Sequence, residues 1–281
     1  MTKAGGPEWI GLIAGNRDLP FLWTRRAKAA GFKVAVLGFR EETSASLARE
    51  ADAFELVSLG ELGKLIGFFR RHGVRRAVMQ GQIQHKQIYR TIRADWRAKL
   101  LLARQALWVR DFRTEAILKS IARELGRHGV ELQPATWLME PWLAPEGRMA
   151  GPRLSLAARR DLRFGLDLTR KLNPLDVGQT VVVKRQSCVA VESIEGTDAC
   201  IRRAAKLAGP GCIVVKLPRP NQDLRFDLPV VGPRTFAVLA RAKVTALVLE
   251  AGKTLFLEKE KCLDTAAKAG ISVVAVPGVD S

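Results

Sequence analysis

The sequence predicts an α/β protein with a Rossmann-like N-terminal domain, built on a parallel sheet, and a second α/β domain after it. Three observations carry that reading. From Trp9 onward, short apolar runs alternate with helical patterns, which is the βαβ signature of a parallel sheet. A stretch at 131–155 then breaks the pattern with Pro134, Pro141, Pro145 and Pro152. Strand-like runs resume beyond it. The chain has 281 residues, enough for two domains of ordinary size. Its 47% hydrophobic content allows a sizeable core and excludes global disorder.

Trp9-Ile-Gly-Leu-Ile-Ala-Gly15 reads as a buried strand ending in a glycine, followed by a helix from Leu19 to Ala30. Lys33–Gly38 and Phe54–Leu59 read as the second and third strands. Leu62–His72 is helical, and Gly73 is placed to end it. Arg76–Ile83 reads as a fourth strand running into a loop, and 96–125 as mostly helical. The boundaries drawn are 1–133 for the first domain, 134–155 for a linker and 156–281 for the second domain. In the second domain a helix is expected over Leu156–Leu172. Strands are expected at Thr180–Val183, Cys188–Val191, Cys212–Lys216, Ala246–Leu249 and Ile271–Val276.

The formal charge is 46 − 28 = +18, which favours a polyanionic partner: nucleic acid, an anionic membrane surface or a phosphorylated substrate. No apolar run approaches the ~20 residues of a membrane span, and the N-terminus lacks the apolar core of a signal peptide. A cytoplasmic protein is the expectation. Cys188, Cys200, Cys212 and Cys262 form no C-x-x-C pair and read as thiols of a reducing compartment. Three histidines argue against a His-rich zinc site.

Four clusters could carry chemistry. In parallel α/β sheets ligands bind at the carboxyl ends of the strands. That rim here holds Gly15-Asn16-Arg17-Asp18 and Gln80-Gly81-Gln82-Ile83. The turn is not a full G-x-G-x-x-G, because Asn16 and Asp18 stand where further glycines would be. That argues against an NAD-dependent oxidoreductase. The second cluster runs from Glu192 through Glu195-Gly196-Thr197-Asp198, with Thr197 or Asp198 expected to cap the helix that follows. A capped helix start attracts phosphate, and Lys184 and Arg185 precede it on a hairpin-like connection.

The third cluster is Lys216–Gly232, stiffened by Pro218, Pro220 and Pro229. It sets Asp223 and Asp227 among Lys216, Arg219, Gln222 and Arg225, a combination suited to phosphate or metal chemistry. The carboxylates Glu192, Glu195, Asp223 and Asp227 suit hard cations such as Mg²⁺ or Mn²⁺. There is no P-loop, no G-x-S-x-G and no metallophosphoesterase Asp-His pair. The fourth is a basic stripe, Lys86, Arg90, Arg93, Arg97 and Arg104, at helical spacing with Tyr89, Trp96 and Trp108 nearby. It suits an anionic bilayer or a nucleic-acid backbone.

With these residues in hand, the whole chain resembles the UDP-2,3-diacylglucosamine pyrophosphatases of lipid A biosynthesis, LpxI type. The carriers are Gly11-Leu-Ile-Ala-Gly15 with Leu19-Pro20, Gly60-Glu-Leu-Gly-Lys64, Gly81-Gln82-Ile83, Glu195-Gly-Thr-Asp198, Lys216, and Asn221–Pro229 with Gly232. The resemblance implies a C-terminal domain of unusual α/β fold and a substrate lying between the domains. It implies hydrolysis of UDP-2,3-diacylglucosamine to UMP and 2,3-diacylglucosamine 1-phosphate, with Mg²⁺ or a similar ion. The family's essential aspartate matches Asp227. The substrate-contacting set it implies comprises Gly15, Asn16, Leu19, Pro20, Gly81, Gln82, Ile83, Lys184, Gly196, Thr197, Asp198, Lys216, Gln222 and Arg225. The metal set is Asp227 with Glu192, Glu195 and Asp223. Such an amphiphilic substrate gives the stripe Lys86, Arg90, Arg93 and Arg97 an anionic inner-membrane surface to meet. Peripheral location on the cytoplasmic side follows, and a nucleic-acid-binding protein without hydrolase activity is the alternative. No recognised nucleic-acid motif supports that alternative.

Overall fold

The computed structural model describes residues 6–81, 95–104, 114–175, 177–219, 223–226 and 228–278. The chain forms two compact units. The first runs to Met139 and also takes in the short segment containing Asp223–Phe226; the second holds most of the rest.

In the first unit the expected strands form as β1 (Trp9–Ala14), β2 (Lys33–Phe39), β3 (Ala53–Val57) and β4 (Arg76–Gln80), joined by the short β5 (Glu131–Leu132). Their order is β3-β2-β1-β4-β5, with every pairing parallel. This is the doubly wound, Rossmann-like order. Near-continuous burial of β1 and β2 explains why both read as unbroken apolar runs rather than alternating ones. Helix α1 (Leu19–Ala29) crosses from β1 to β2, and α2 (Leu62–Arg71) crosses from β3 to β4. A 3₁₀ turn at Ala45–Arg49 stands in the β2–β3 connection. Gly11 lies inside β1 because a Cβ there would come within 2.9 Å of Phe69 and Ala77. Gly73, at φ +66°, ends α2 as the sequence indicated. The 96–125 region yields α3 (Trp96–Arg104) and α4 (Thr114–Arg127).

The second unit is built on a mixed six-stranded sheet in the order β6-β13-β11-β9-β7-β8. Its strands are β6 (Gly147–Ala150), β7 (Thr180–Lys184), β8 (Ser187–Val191), β9 (Ile213–Lys216), β11 (Ala246–Glu250) and β13 (Ser272–Val276). β9, β11 and β13 run parallel, while β6 and β7 are antiparallel to their neighbours. The stretch 134–155 therefore contributes an edge strand, with a 3₁₀ turn before it at Glu140–Trp142. A separate two-stranded sheet pairs β10 (Val230–Val231) with β12 (Leu255–Phe256).

Helix α5 (Leu156–Leu172) starts where expected, with the Ser155 hydroxyl accepting from the Ala158 amide. It lies on β7 and β9 through Gly165, where a Cβ would meet Val215 at 2.8 Å. Helices α6 (Thr197–Ala208), α7 (Pro233–Arg241) and α8 (Lys259–Lys268) complete the unit. The β7–β8 hairpin turns through Arg185 (φ +51°) and Gln186 (φ +55°), a geometry that usually needs Asn-Gly. Asp161 of α5 makes it tenable by accepting both turn amides at 2.8 Å. Among the described residues no helix is long and apolar enough to cross a membrane.

Candidate functional site

Two rims follow from the topology, one in each unit. In the first unit, β1 and β4 end side by side, and the Gly15 amide donates to the Gln80 carbonyl at 2.8 Å. Gly81 follows at φ +87°, and a Cβ there would fall 2.5 Å from the Asn16 carbonyl oxygen and 3.1 Å from Pro20. The structure thus brings Gly15, Asn16, Pro20 and Gly81 together, with Leu19 opening α1 beside them. Asn16 donates to Glu42 at 2.7 Å. The start of α1 is a poorer phosphate cradle, because Pro20 removes one of its free amides. Gln82 and Ile83, also assigned to this rim, lie outside the described residues.

The second rim has a different chemistry. β8 and β9 point the same way across the antiparallel β7, so both carboxyl ends open on one edge. α6 starts after β8, and Lys216 closes β9 opposite Thr180. The sequence assigned the cap of α6 to Thr197 or Asp198. The structure gives it to Gly196, at φ +82° and ψ +165°, a conformation that needs glycine. Thr197 and Asp198 therefore occupy the first turn, and their side chains turn elsewhere. The Thr197 hydroxyl accepts from Lys216 Nζ at 2.8 Å and donates to Glu192 Oε1 at 3.0 Å. Thr180 Oγ1 lies 3.4 Å from the same hydroxyl. Asp198 accepts from Thr235 at 3.0 Å and pairs with Arg234 at 3.1 Å, which ties α6 to the start of α7.

Lys216 is only 7% exposed. A buried ammonium beside the positive end of a helix places two features of like sign together, and both favour an incoming anion. Lys216 and the uncapped α6 amides are thus two positive features on one edge, Lys216 being linked through the Thr197 hydroxyl to the Glu192 carboxylate. Sequence reasoning missed three residues that position them. Asn173 donates to the carbonyls of Leu217 and Pro218, fixing the chain as it leaves Lys216. Thr180 presents the neighbouring hydroxyl. Gly178 lets the backbone pass Glu192, since a Cβ would sit 2.2 Å from its carbonyl oxygen. The one signal available in the sequence was Gly178 just before a strand.

The remaining assigned residues fall elsewhere. Lys184 stands at the other end of β7 from Thr180. There it donates to the Ala208 and Pro210 carbonyls at 2.6 and 2.7 Å, closing the C-terminus of α6. Of the four carboxylates assigned to a metal, Glu195 pairs with Arg203 at 2.5 Å, which holds its carboxyl below the ordinary value. Asp223 takes Arg225 in a two-bond clamp at 2.7 and 2.9 Å, and that bond likewise lowers its carboxyl. Glu192 keeps one oxygen, Oε2, buried and without a hydrogen-bond partner among the described residues. Asp227 and Gln222 lie outside those residues. Among the described residues, no three His, Cys, Asp or Glu side chains converge as a metal site. Lys86, Arg90 and Arg93 of the basic stripe also lie outside the described residues. Arg97 approaches His128 Nε2 at 2.9 Å and lies over the Trp96 ring at 4.8 Å.

Two family models account for this architecture: the LpxI N-terminal domain matches residues 9–142, and the LpxI C-terminal domain matches 145–274. The chain belongs to the LpxI family. Among its LpxI relatives is the "UDP-2,3-diacylglucosamine pyrophosphatase LpxI" of Caulobacter vibrioides, 31% identical over 95% of this chain and 97% of that one. Two solved structures align with it weakly. The ADP complex of an N5-carboxyaminoimidazole ribonucleotide synthetase aligns with 74% of this chain and 46% of its own, at 17% identity and a TM-score of 0.28. A biotin carboxylase domain of a single-chain bacterial carboxylase aligns with 61% of this chain and 35% of its own, at 11% identity and a TM-score of 0.27.

Proposed function

We propose that this chain hydrolyses the pyrophosphate of UDP-2,3-diacylglucosamine, giving UMP and 2,3-diacylglucosamine 1-phosphate in lipid A biosynthesis. The observation that carries the reading is the relative of that name, 31% identical across nearly the full length of both chains. The reaction adds water across one P–O–P bond: the water oxygen joins phosphorus, the bridging oxygen leaves with one phosphate, and a proton is released. Both products and the transition state are rich in negative charge. Lys216 and the first amides of α6 supply fixed positive ends for that charge, with the Thr197 hydroxyl holding the ammonium in place. Asp227 is the carboxylate assigned to water or metal, from its place in the Arg-Phe-Asp-Leu-Pro run.

Mg²⁺ or Mn²⁺ belongs to this proposal. Its support among the described residues is Glu192, whose buried Oε2 is an oxygen donor without a partner, the type such ions prefer. Glu195 and Asp223 fit less well, since arginines already hold them. A bound divalent ion would neutralise phosphate charge during cleavage. The remaining substrate contacts, at Gly15, Asn16, Leu19, Pro20 and Gly81, are proposed for the first rim. The test is UMP release from detergent-dispersed UDP-2,3-diacylglucosamine, with and without Mg²⁺, Mn²⁺ and chelator. Turnover that disappears with chelator and returns with metal is expected. No UMP under any condition overturns the hydrolase; turnover indifferent to chelator overturns only the metal.

A further inference from the structure

Helix α3 presents a face to solvent that its composition does not explain as an ordinary surface. Ala98 and Leu101 turn inward onto the core of the first unit. Trp96, Lys99, Leu100 and Ala103, at helical spacings of three, four and seven, are exposed. Trp96 is 67% exposed and Leu100 43%. A large indole left in water costs apolar burial, yet this helix is not loosely held. Asp95 fastens it: Oδ1 accepts the Ala98 amide at 2.8 Å, and Oδ2 accepts the Gly63 amide at the start of α2 at 2.6 Å. The Asp95 amide in turn donates to the Gly60 carbonyl at 3.1 Å. One carboxylate thus caps two helices and sets the angle at which Trp96 projects. The helix carries Arg97, Lys99 and Arg104 and no acid. The Arg97 guanidinium lies against the Trp96 ring.

An indole and a leucine flanked by Arg97 and Lys99 match the interface of an anionic bilayer, where tryptophan sits at headgroup level and lysine reaches the phosphates. Among the described residues no helix is long and apolar enough to span a membrane, so the proposed contact is one in the interface plane. We propose that the Trp96–Lys99–Leu100–Ala103 face of α3 is the element by which this protein docks on an anionic lipid bilayer. The proposal rests on the reading that the substrate is a diacylated lipid. It moves the centre of the docking from the cations of the stripe to an apolar insertion of Trp96 and Leu100 flanked by Arg97 and Lys99.

The test uses the full chain and vesicles of phosphatidylcholine, pure or mixed with phosphatidylglycerol. Wild type is expected to bind the anionic vesicles preferentially. The double variant Trp96→Ala/Leu100→Ser is expected to bind them at least ten-fold more weakly. Its UMP release from detergent-dispersed substrate should stay within about two-fold of wild type. A milder change guards against misfolding: brominated lipid should quench part of the tryptophan emission of wild type, and that part should vanish in Trp96→Phe. Equal vesicle binding by the double variant, or unchanged quenching in Trp96→Phe, overturns the proposal. So does light scattering that shows a wild-type dimer becoming a monomer in the double variant, which would make the face a contact between copies. Detergent turnover that falls in step with vesicle binding overturns it too, because the face would then serve the substrate site. Absence of UMP from wild type itself strikes the hydrolase reading and leaves the vesicle result standing.

Discussion

The two rims of this molecule stand at equivalent places, the carboxyl ends of strands that feed helices, yet they are built from opposite materials. The first is backbone against backbone: Gly81 is folded onto the Asn16 carbonyl, and Pro20 blunts the helix start. The second is a buried lysine, two threonine hydroxyls and a carboxylate gathered at an uncapped helix. Close backbone packing confers shape, and fixed charge in a dry setting confers transition-state stabilisation. The first rim should therefore be sensitive in stability and the second in turnover.

The largest effect expected anywhere in the chain is at Asp227. Asp227→Ala should lower kcat by more than about ten-fold, since ~1.4 kcal/mol is the least a group acting on water or metal supplies. KM should move far less, as for a contact made in the transition state. Steady-state UMP release measures both. Retention of more than a tenth of wild-type kcat would remove Asp227 from the chemistry and leave the second rim to supply it alone.

Next in size is Lys216. Lys216→Met keeps the length of the side chain and removes its charge, and a charged hydrogen bond of ~1.5–3 kcal/mol corresponds to roughly 10–150-fold in turnover. Thr197→Val, which cuts the link between Lys216 and Glu192, should cost less, about 5–30-fold. The thermal midpoint of Lys216→Met should fall little, because a charge buried beside the positive end of a helix is removed with it. A variant that melts early and retains its turnover per folded molecule would reverse the contrast between the rims.

How much of this could be read from the sequence differs between the two rims as well. Strands β1 and β2 were legible because near-continuous burial makes their apolar runs unbroken. The start of α6 was legible as a helix start but not in its chemistry. Local capping rules favour Thr197, and the tertiary demand of Lys216 for a hydroxyl partner overrode them. Lys184 looked like a site cation by proximity in sequence. The length of β7 carries it to the far end of the sheet, where the carbonyls of α6 claim it. Asn173 gave no signal and Gly178 only its place before a strand, because both act through backbone contacts made by folding.

A smaller effect, read in stability, belongs to Gly81. Alanine there must hold φ near +87° and put its Cβ 2.5 Å from a carbonyl oxygen. The left-handed conformation and the overlap together should cost about 2–3 kcal/mol. Urea denaturation with a separate probe for each unit should show the loss in the first unit only. An unchanged midpoint would mean that the rim yields easily, and the claim that it is held by shape would fail.

The smallest effect separates a structural carboxylate from a metal ligand at Asp223. The two-bond clamp from Arg225 holds the Asp223 carboxyl below its ordinary value of 3.8. A depressed carboxyl contributes stability that is fully present above its unfolded value and is lost as pH falls through the folded one. The clamp is partly open to solvent, so its contribution should stay within about 1 kcal/mol. Asp223→Asn should therefore unfold slightly earlier than wild type at pH 6, and the gap should close as pH drops below 3.8. Its Mg²⁺-supported turnover should stay within about two-fold of wild type, since a carboxylate already clamped by arginine is a poor candidate for a metal ligand. A variant whose turnover collapses and is partly restored by excess Mg²⁺ would return Asp223 to the metal, and the clamp would then be the state of the segment without the ion.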